Sequence, residues 1–460
     1  MIRKQVMQFV LLALWMFGGL TADSIASDDA ASIAAERGRI ALTLGSFLAP
    51  AWKDSAYART APFVGMTPID AETRPDAFAK AFRARYGLHE APYANDGLPM
   101  GIRRGKAADG GREGLQIDCM VCHGGSIGGQ SYVGLGNTTL DLDTLLREMT
   151  LADDRRPPPR VFVLNSTRGT VNAGQIAAVL LSLRNPDLSR ARFPTPLGAN
   201  LPELDVPPWW RLAKKTTIYY DGRTDARSVR TNMQFLLGEF TLEDFKRMEP
   251  TFRDIREYFK SIKPPKYPFA IDRDRAEKGR VAFEKTCSKC HGTYGADGEY
   301  PNMIVELDQI GTDPKRALGI SDRLIEHYNS TWLGEDYPAD TKMTGYQAPP
   351  LDGIWATAPF LHNGSVPTLL ALLDSSKRPI RFRKPSTTDF QYYDQMNVGW
   401  KVETIDPGET DRDLPKNAPP TEVRRVYDTR RFGLGNQGHV YGDKLSDADR
   451  YAVIEYLKTL

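Results

Sequence analysis

The four cysteines of the chain fall into two identical Cys-x-x-Cys-His units, Cys119-Met-Val-Cys122-His123 and Cys287-Ser-Lys-Cys290-His291, set 168 residues apart. Two cysteines three apart share one helical turn, so both sulfurs can reach the vinyl positions along one porphyrin edge and form thioethers. The histidine that follows is carried under the ring, where its imidazole can bind iron. The pattern predicts two covalently bound haem c groups, with His123 and His291 as the proximal iron ligands. A thioredoxin-like redox pair requires neither that histidine nor a second copy. A zinc site would gather its ligands into one tetrahedron rather than spread them as distant pairs. No cysteine is left over for a structural disulfide.

Covalent attachment keeps a cofactor from being lost in a dilute space outside the cytoplasm, and the N-terminus agrees with export. Arg3 and Lys4 precede a mostly apolar stretch from Phe9 to Leu20, and small residues follow around Ser24-Ile25-Ala26. That order predicts a signal peptide over 1–26, cleaved after Ala26, and a periplasmic or secreted protein. The apolar run is shorter than the about 20 residues that span a bilayer, and no later segment is a better candidate, so no stable membrane span is expected. With 60 Lys and Arg against 58 Asp and Glu, the net charge of +2 offers no basic field for a phosphate backbone, which argues against nucleic acid as a partner.

At 460 residues the chain exceeds a single hydrophobic core, and two domains are expected. Apolar periodicity predicts a mainly α protein, with helices over 33–48, 76–86, 140–149, 175–183 and 242–261. Glycine-rich loops, 101–114 and the glycines from Gly124 to Gly129, flank the first Cys-x-x-Cys-His unit and let backbone run close to a porphyrin face. The segment Lys263-Pro-Pro-Lys-Tyr-Pro268 cannot continue a helix and marks a boundary between an N-terminal haem domain, 27–262, and a C-terminal one, 263–460.

Around the second unit, a helix over 272–285 puts Gly279 and Phe283 on one face, and Ser446 with Asp449 opens a last helix whose Val453, Tyr456, Leu457 and Leu460 share a face. This arrangement resembles a class I cytochrome c domain, in which the first and last helices cross glycine against aromatic. Long proline-rich loops are inserted between them. In such domains the sixth iron ligand sits on the loop before the last helix, usually as methionine. Here that loop reads Gly435-Asn-Gln-Gly-His439-Val-Tyr-Gly442, so the resemblance implies His291/His439 ligation of the second haem. A bis-histidine iron suits electron relay rather than substrate binding.

The stretch Thr357-Ala-Pro-Phe-Leu-His362-Asn-Gly-Ser-Val-Pro-Thr-Leu369 closely resembles a signature of the bacterial di-haem cytochrome c peroxidase and MauG superfamily. Together with the glycine-flanked histidine before the last helix, it looks most like the di-haem rubber oxygenase branch. The resemblance covers both haem units and most of the C-terminal half. It implies that His362 lies near the haems as a supporting or electron-path residue, with a hydrogen-bonded buried turn as the alternative. It also implies that the N-terminal haem is the reactive one, with an open position for peroxide or dioxygen. No sixth ligand for that haem is marked by spacing: His89 and His327 read as surface residues, and Met100, Met233, Met303, Met343 and Met396 as core or loop. Trp209-Trp210 and the stretch 228–235 are candidates for the distal wall, with Arg230 to stabilise a bound oxygen species and Phe235 to shield it.

Three functions are open at this level. A haem oxidoreductase of peroxidase or oxygenase type would act on peroxide, dioxygen or a small organic substrate and exchange electrons with a small redox protein. A non-catalytic electron-transfer cytochrome would have both irons closed, but about 430 mature residues are more than two such haems need. A haem-based sensor has no particular feature in its favour.

Overall fold

A computed structural model of the chain describes residues 29–45, 49–106, 112–159, 162–342, 345–406, 408 and 419–460. The expected signal peptide and Met343 lie outside the described residues. The helix expected over 33–48 is found at 29–44.

The best-defined packing surrounds the second Cys-x-x-Cys-His unit. Helix Arg273–Thr286 starts at Asp272, whose side chain accepts from the Arg275 N–H, and ends directly at Cys287. Helix Asp447–Leu457 starts at Ser446, which accepts from Asp449 N–H. The two cross at Gly279, where a Cβ would lie 1.8 Å from the Ala452 carbonyl oxygen, so only glycine allows the approach. One turn on, Phe283 meets Tyr456 with ring centres 5.3 Å apart. The glycine therefore faces backbone, and the aromatic contact belongs to its neighbour four residues later.

In the N-terminal half, helix Pro75–Tyr86 buries Phe78, Phe82 and Tyr86 at a spacing of four, a single stripe. The stripe packs with Leu145 and Met149 of helix Leu142–Ala152 in one core cluster. Helix Leu242–Ser261, opened by a Thr241/Asp244 capping box, turns Phe245, Phe252, Ile255 and Phe259 inward.

Two expectations need correction. The described chain is mixed, 42% helix and 13% strand, rather than mainly α. Its strands form seven small sheets of two or three strands. The glycine-rich stretches around Cys119 are not simple loops: Ile102–Lys106 pairs antiparallel with Glu113–Ile117, and Gly124–Ile127 with Gln130–Val133, turning at Gly128-Gly129. Glycine marks both a hairpin turn and a close approach, which is why composition alone does not separate loop from hairpin here.

Residues 263–268 carry no regular secondary structure, and Trp355 Nε1 donates to the Pro265 carbonyl. The cores reach across this segment in both directions. One cluster joins Phe283, Trp355, Tyr393 and Tyr456 to Ile127, Leu135 and Trp210. Another joins Met233, Leu237 and Phe245 to Leu324, Tyr328 and Trp332.

Candidate functional site

Each Cys-x-x-Cys-His unit folds as one short helical turn, Met120–His123 and Ser288–His291, with all four cysteines free of disulfides. The first turn is anchored by Asp118, whose Oδ1 accepts from Met120 N–H at 2.7 Å. Asp118 is in turn held by buried Arg103 of the preceding hairpin through an Nε bond of 2.7 Å. Among the described residues, no group of three or more His, Cys, Asp or Glu side chains converges to hold a bare metal ion.

Both histidines are oriented by the same device. His123 Nδ1 donates to the Pro207 carbonyl at 3.1 Å, and His291 Nδ1 donates to the Pro349 carbonyl at 2.8 Å. Each acceptor is the first proline of a Pro-Pro pair, Pro207-Pro208 and Pro349-Pro350. A proton fixed on Nδ1 leaves Nε2 as a bare lone pair, the form in which imidazole binds iron. Burial holds the rings neutral: it pushes His123 down to about 4 and lowers His291. Trp209 stacks on the His123 ring at 4.9 Å and is itself backed by Phe259 at 3.9 Å, which fixes the plane of the imidazole.

The structure brings His439 opposite His291, with ring centres 6.1 Å apart and planes inclined by 61°. An imidazole nitrogen binds a transition metal at about 2 Å and its ring centre lies about 1 Å further, so two axial imidazoles are about 6 Å apart centre to centre. The observed spacing fits an iron between them. His439 Nδ1 is buried with no partner among the described residues. Burial, then the adjacent His291, pushes its imidazole down to about 3.

The loop carrying His439 is held in a conformation it would not choose alone. His439 itself has φ +48°, unusual for a residue with a side chain. Gly438, at φ +75°, lies where a Cβ would come within 2.2 Å of the Gly311 and Thr312 backbone. His439 N–H donates to the Ile310 carbonyl at 2.7 Å. Arg378 binds the carbonyls of Asn436 and Gly438 at 2.7 Å and that of His439 at 3.2 Å, while its other N–H groups reach Ala371 and Leu372. Strain of this kind persists only where the surrounding structure over-determines the position, as these partners do.

Among the described residues, no second histidine faces His123. Instead a cavity of about 310 Å3 opens beside it, within the size range of cofactor pockets. Apolar residues from both halves line it, among them Ala177, Leu181, Ile218, Ile320 and Leu324. Apart from His123, its described lining includes no histidine or methionine. Phe235 lines the cavity and is 41% exposed, so it stands where the cavity meets solvent.

Arg230 does not serve the cavity, which corrects the expectation from sequence. Its guanidinium faces Glu249, Glu335 and Asp336 at 3.2, 3.3 and 2.8 Å and stacks over Trp332 at 4.1 Å, so its charge is already compensated. His89 is not a surface residue either: Nδ1 meets Ser126 Oγ at 2.8 Å, and Nε2 meets Asn137 and Thr139. His327 contacts the Arg184 carbonyl at 2.9 Å, Met100 and Met233 are buried in core clusters, and Met396 is exposed.

His362 joins the two sites. Its buried ring stacks on Tyr346 at 4.4 Å and meets Tyr220, a cavity residue, edge-on at 6.0 Å. Its carbonyl accepts from the N–H of Asp205, also in the cavity lining. The adjacent Asn363 donates to the carbonyls of Gly433 and Gly435, on the segment leading to His439. Burial, with Arg316 nearby, pushes His362 down to about 3. A neutral native imidazole with an unfolded pKa near 6.5 contributes stability that is complete above pH 6.5 and is lost as pH falls toward 3, because only the unfolded chain takes up the proton. His362→Gln should remove about 1.4 kcal/mol per pH unit from the acid destabilisation between pH 6 and 4. Thermal unfolding of both proteins across that range measures it; equal slopes would refute the assignment.

Residues 345–383 match the model of the RoxA-like, cytochrome c-like family. This part of the chain is cytochrome c-like. A domain of that kind implies a covalent c-type haem and a haem-based redox role. The matched stretch contains Pro349 and Arg378, which orient His291 and the His439 loop, and His362 between the two sites. Two uncharacterized proteins of Sinorhizobium fredii (strain NBRC 101917 / NGR234) are similar to the chain. y4iM is 26% identical over 298 residues, covering 55% of this chain and 64% of y4iM. y4iJ is 27% identical over 270 residues, covering 44% of this chain and 42% of y4iJ. The matches thus span less than two thirds of either relative's length. No described helix is long and apolar enough to cross a membrane.

Sequence reasoning missed the prolyl carbonyls, which lie 84 and 58 residues beyond the histidines they orient. The repeated Pro-Pro pair was the available signal. It also missed Arg103, Asp118 and Arg378, which nothing in the local sequence distinguishes from surface charges.

Proposed function

We propose that this chain is an exported di-haem c-type cytochrome oxidoreductase related to the RoxA-like branch of the di-haem peroxidase and MauG superfamily. Its electron-relay site lies at His291 and His439, and its reactive site lies at His123, open to peroxide, dioxygen or a small organic substrate. The observation that carries this reading is the inequality of the two histidines: His291 faces a second imidazole at 6.1 Å, whereas His123 stands beside a cavity with no second histidine or methionine in its described lining.

When bound, haem supplies one-electron chemistry and, at an open iron position, affinity for peroxide or dioxygen. The chain's own residues supply the rest. Pro207 and Pro349 set the imidazole tautomers, Arg378 holds the His439 loop, and the mostly apolar cavity walls stand beside His123. Residues 27–262 carry His123 and 263–460 the relay site, with 316–349 adding to the wall of the His123 cavity. A small redox protein at the relay side is the electron partner, and the location is periplasmic or secreted.

Mass measurement of the mature protein should show two added haems. Spin-resonance and optical spectra should show one low-spin centre insensitive to cyanide and one that binds it. Two closed low-spin centres would leave an electron carrier and remove the enzyme.

A further inference from the structure

The cavity beside His123 is apolar over most of its wall but contains a cluster of buried charge that neither the histidines nor the fold requires. Arg211, Lys215, Arg223 and Arg316 line it together with the carboxyls of Asp205 and Asp221. Arg316 and Arg223 are 7% and 9% exposed, and Asp221 is 1% exposed. Buried charges in native proteins are paired and hydrogen-bonded, because an uncompensated one is strongly destabilising. These are not fully compensated. Asp221 Oδ2 lies 3.2 Å from Arg316 Nη1 and 3.5 Å from Arg223 Nε, but neither N–H is aimed at it. Arg316 Nε and Nη1, Arg223 Nε and Arg211 Nε are all buried without a hydrogen-bond acceptor among the described residues.

The remaining charges of the cavity do not resolve this. Arg256 and Lys260 are both paired with Glu257. Burial and the nearby Arg211 push Lys215 down to about 7, and burial pushes Asp205 up to about 8. The Lys215 shift is what burial beside another cation produces, whereas Asp205 is raised by burial against the lowering pull of Lys384 and Arg211. Arg211 also reaches toward the other half, donating from Nη2 to Thr357 Oγ1 at 3.0 Å.

We propose that Arg211, Lys215, Arg223 and Arg316 form a carboxylate cradle, with Asp221 as its internal counter-ion, and that its occupant is the propionate pair of the haem attached at Cys119 and Cys122. Planar guanidinium groups with free N–H donors are the side chains best suited to carboxylates, and the three guanidinium groups against one fixed counter-ion leave two positive charges for a ligand that carries two negative ones. The inference rests on the di-haem reading for the identity of the occupant. The carboxylate chemistry of the cradle stands on the unpaired donors alone.

The test uses the purified holoprotein and its Arg316→Gln variant, with Arg316→Lys as the charge-keeping control. Spectroelectrochemistry should find the potential of the cyanide-sensitive haem lowered in Arg316→Gln by about tenfold in its redox equilibrium, about 59 mV for one electron. That potential should also become pH-dependent between pH 5 and 8, because an unpaired propionate titrates there. Arg316→Lys should restore most of the wild-type value, and the relay haem should not shift. Calorimetry with succinate as a soluble dicarboxylate should show no binding to the wild type. Succinate binding that is lost in Arg316→Gln, with an unchanged potential, would keep the cradle but overturn the propionates as occupant. An unchanged potential without succinate binding would overturn the cradle. A mass showing no haem at Cys119 and Cys122 would overturn the di-haem reading instead.

Discussion

Replacing His439 by alanine should convert the centre at His291 from a closed low-spin iron to one that is high-spin and binds cyanide, while the centre at His123 keeps its spectrum. The expectation follows from the 6.1 Å spacing of the two imidazoles, which fits one iron between them. His439→Met should keep the iron six-coordinate but raise its potential, because a thioether donates less to ferric iron than an imidazole. Arg378→Leu should give a mixture of closed and open forms, since three contacts to loop carbonyls and the two that tie them to Ala371 and Leu372 disappear together while the ligand itself remains. An unchanged spectrum in His439→Ala would remove the relay assignment outright.

A second large effect is expected at Gly279. Helix propensity alone predicts that Gly279→Ala stabilises the protein by about 1 kcal/mol. The crossing predicts the opposite sign, because the added methyl would lie 1.8 Å from the Ala452 carbonyl oxygen and 2.3 Å from its carbon. Backbone on both sides cannot yield as a side-chain tip can, so a net loss of about 2 to 3 kcal/mol is expected. Thermal unfolding followed at the absorption of the relay centre reads the change directly. Gly238→Ala is the control: its nearest neighbour is a Leu180 methyl at 3.8 Å, and it should be close to neutral. A stabilised Gly279→Ala protein would show that the two helices do not cross as described.

These two positions also show what was readable from sequence and why. Haem attachment needs two sulfurs and an imidazole on one turn, so its residues are adjacent in the chain and announce themselves. Gly279 and Phe283 are readable because a helix puts residues four apart on one face, and the glycine-flanked loop points to His439 because a terminal helix follows it. Arg230 was misread for the complementary reason. Beside aromatic residues it looks like part of a pocket, but Glu249, Glu335 and Asp336, which claim its charge, come from elsewhere in the fold. The cationic cluster was invisible because Arg316 arrives from about 100 residues beyond Arg211 and Lys215. Local patterns report groups that must be sequential, and electrostatic partnerships carry no such requirement.

The cleft beside His123 is walled by residues 171–260 on one side and by 316–349 on the other. Its roof is therefore synthesised long after its floor. If a haem is joined at Cys119 and Cys122 as proposed, access to those cysteines would be easiest before Ile320, Leu324 and Tyr328 arrive to line the cleft. On that reading insertion would come first and enclosure second.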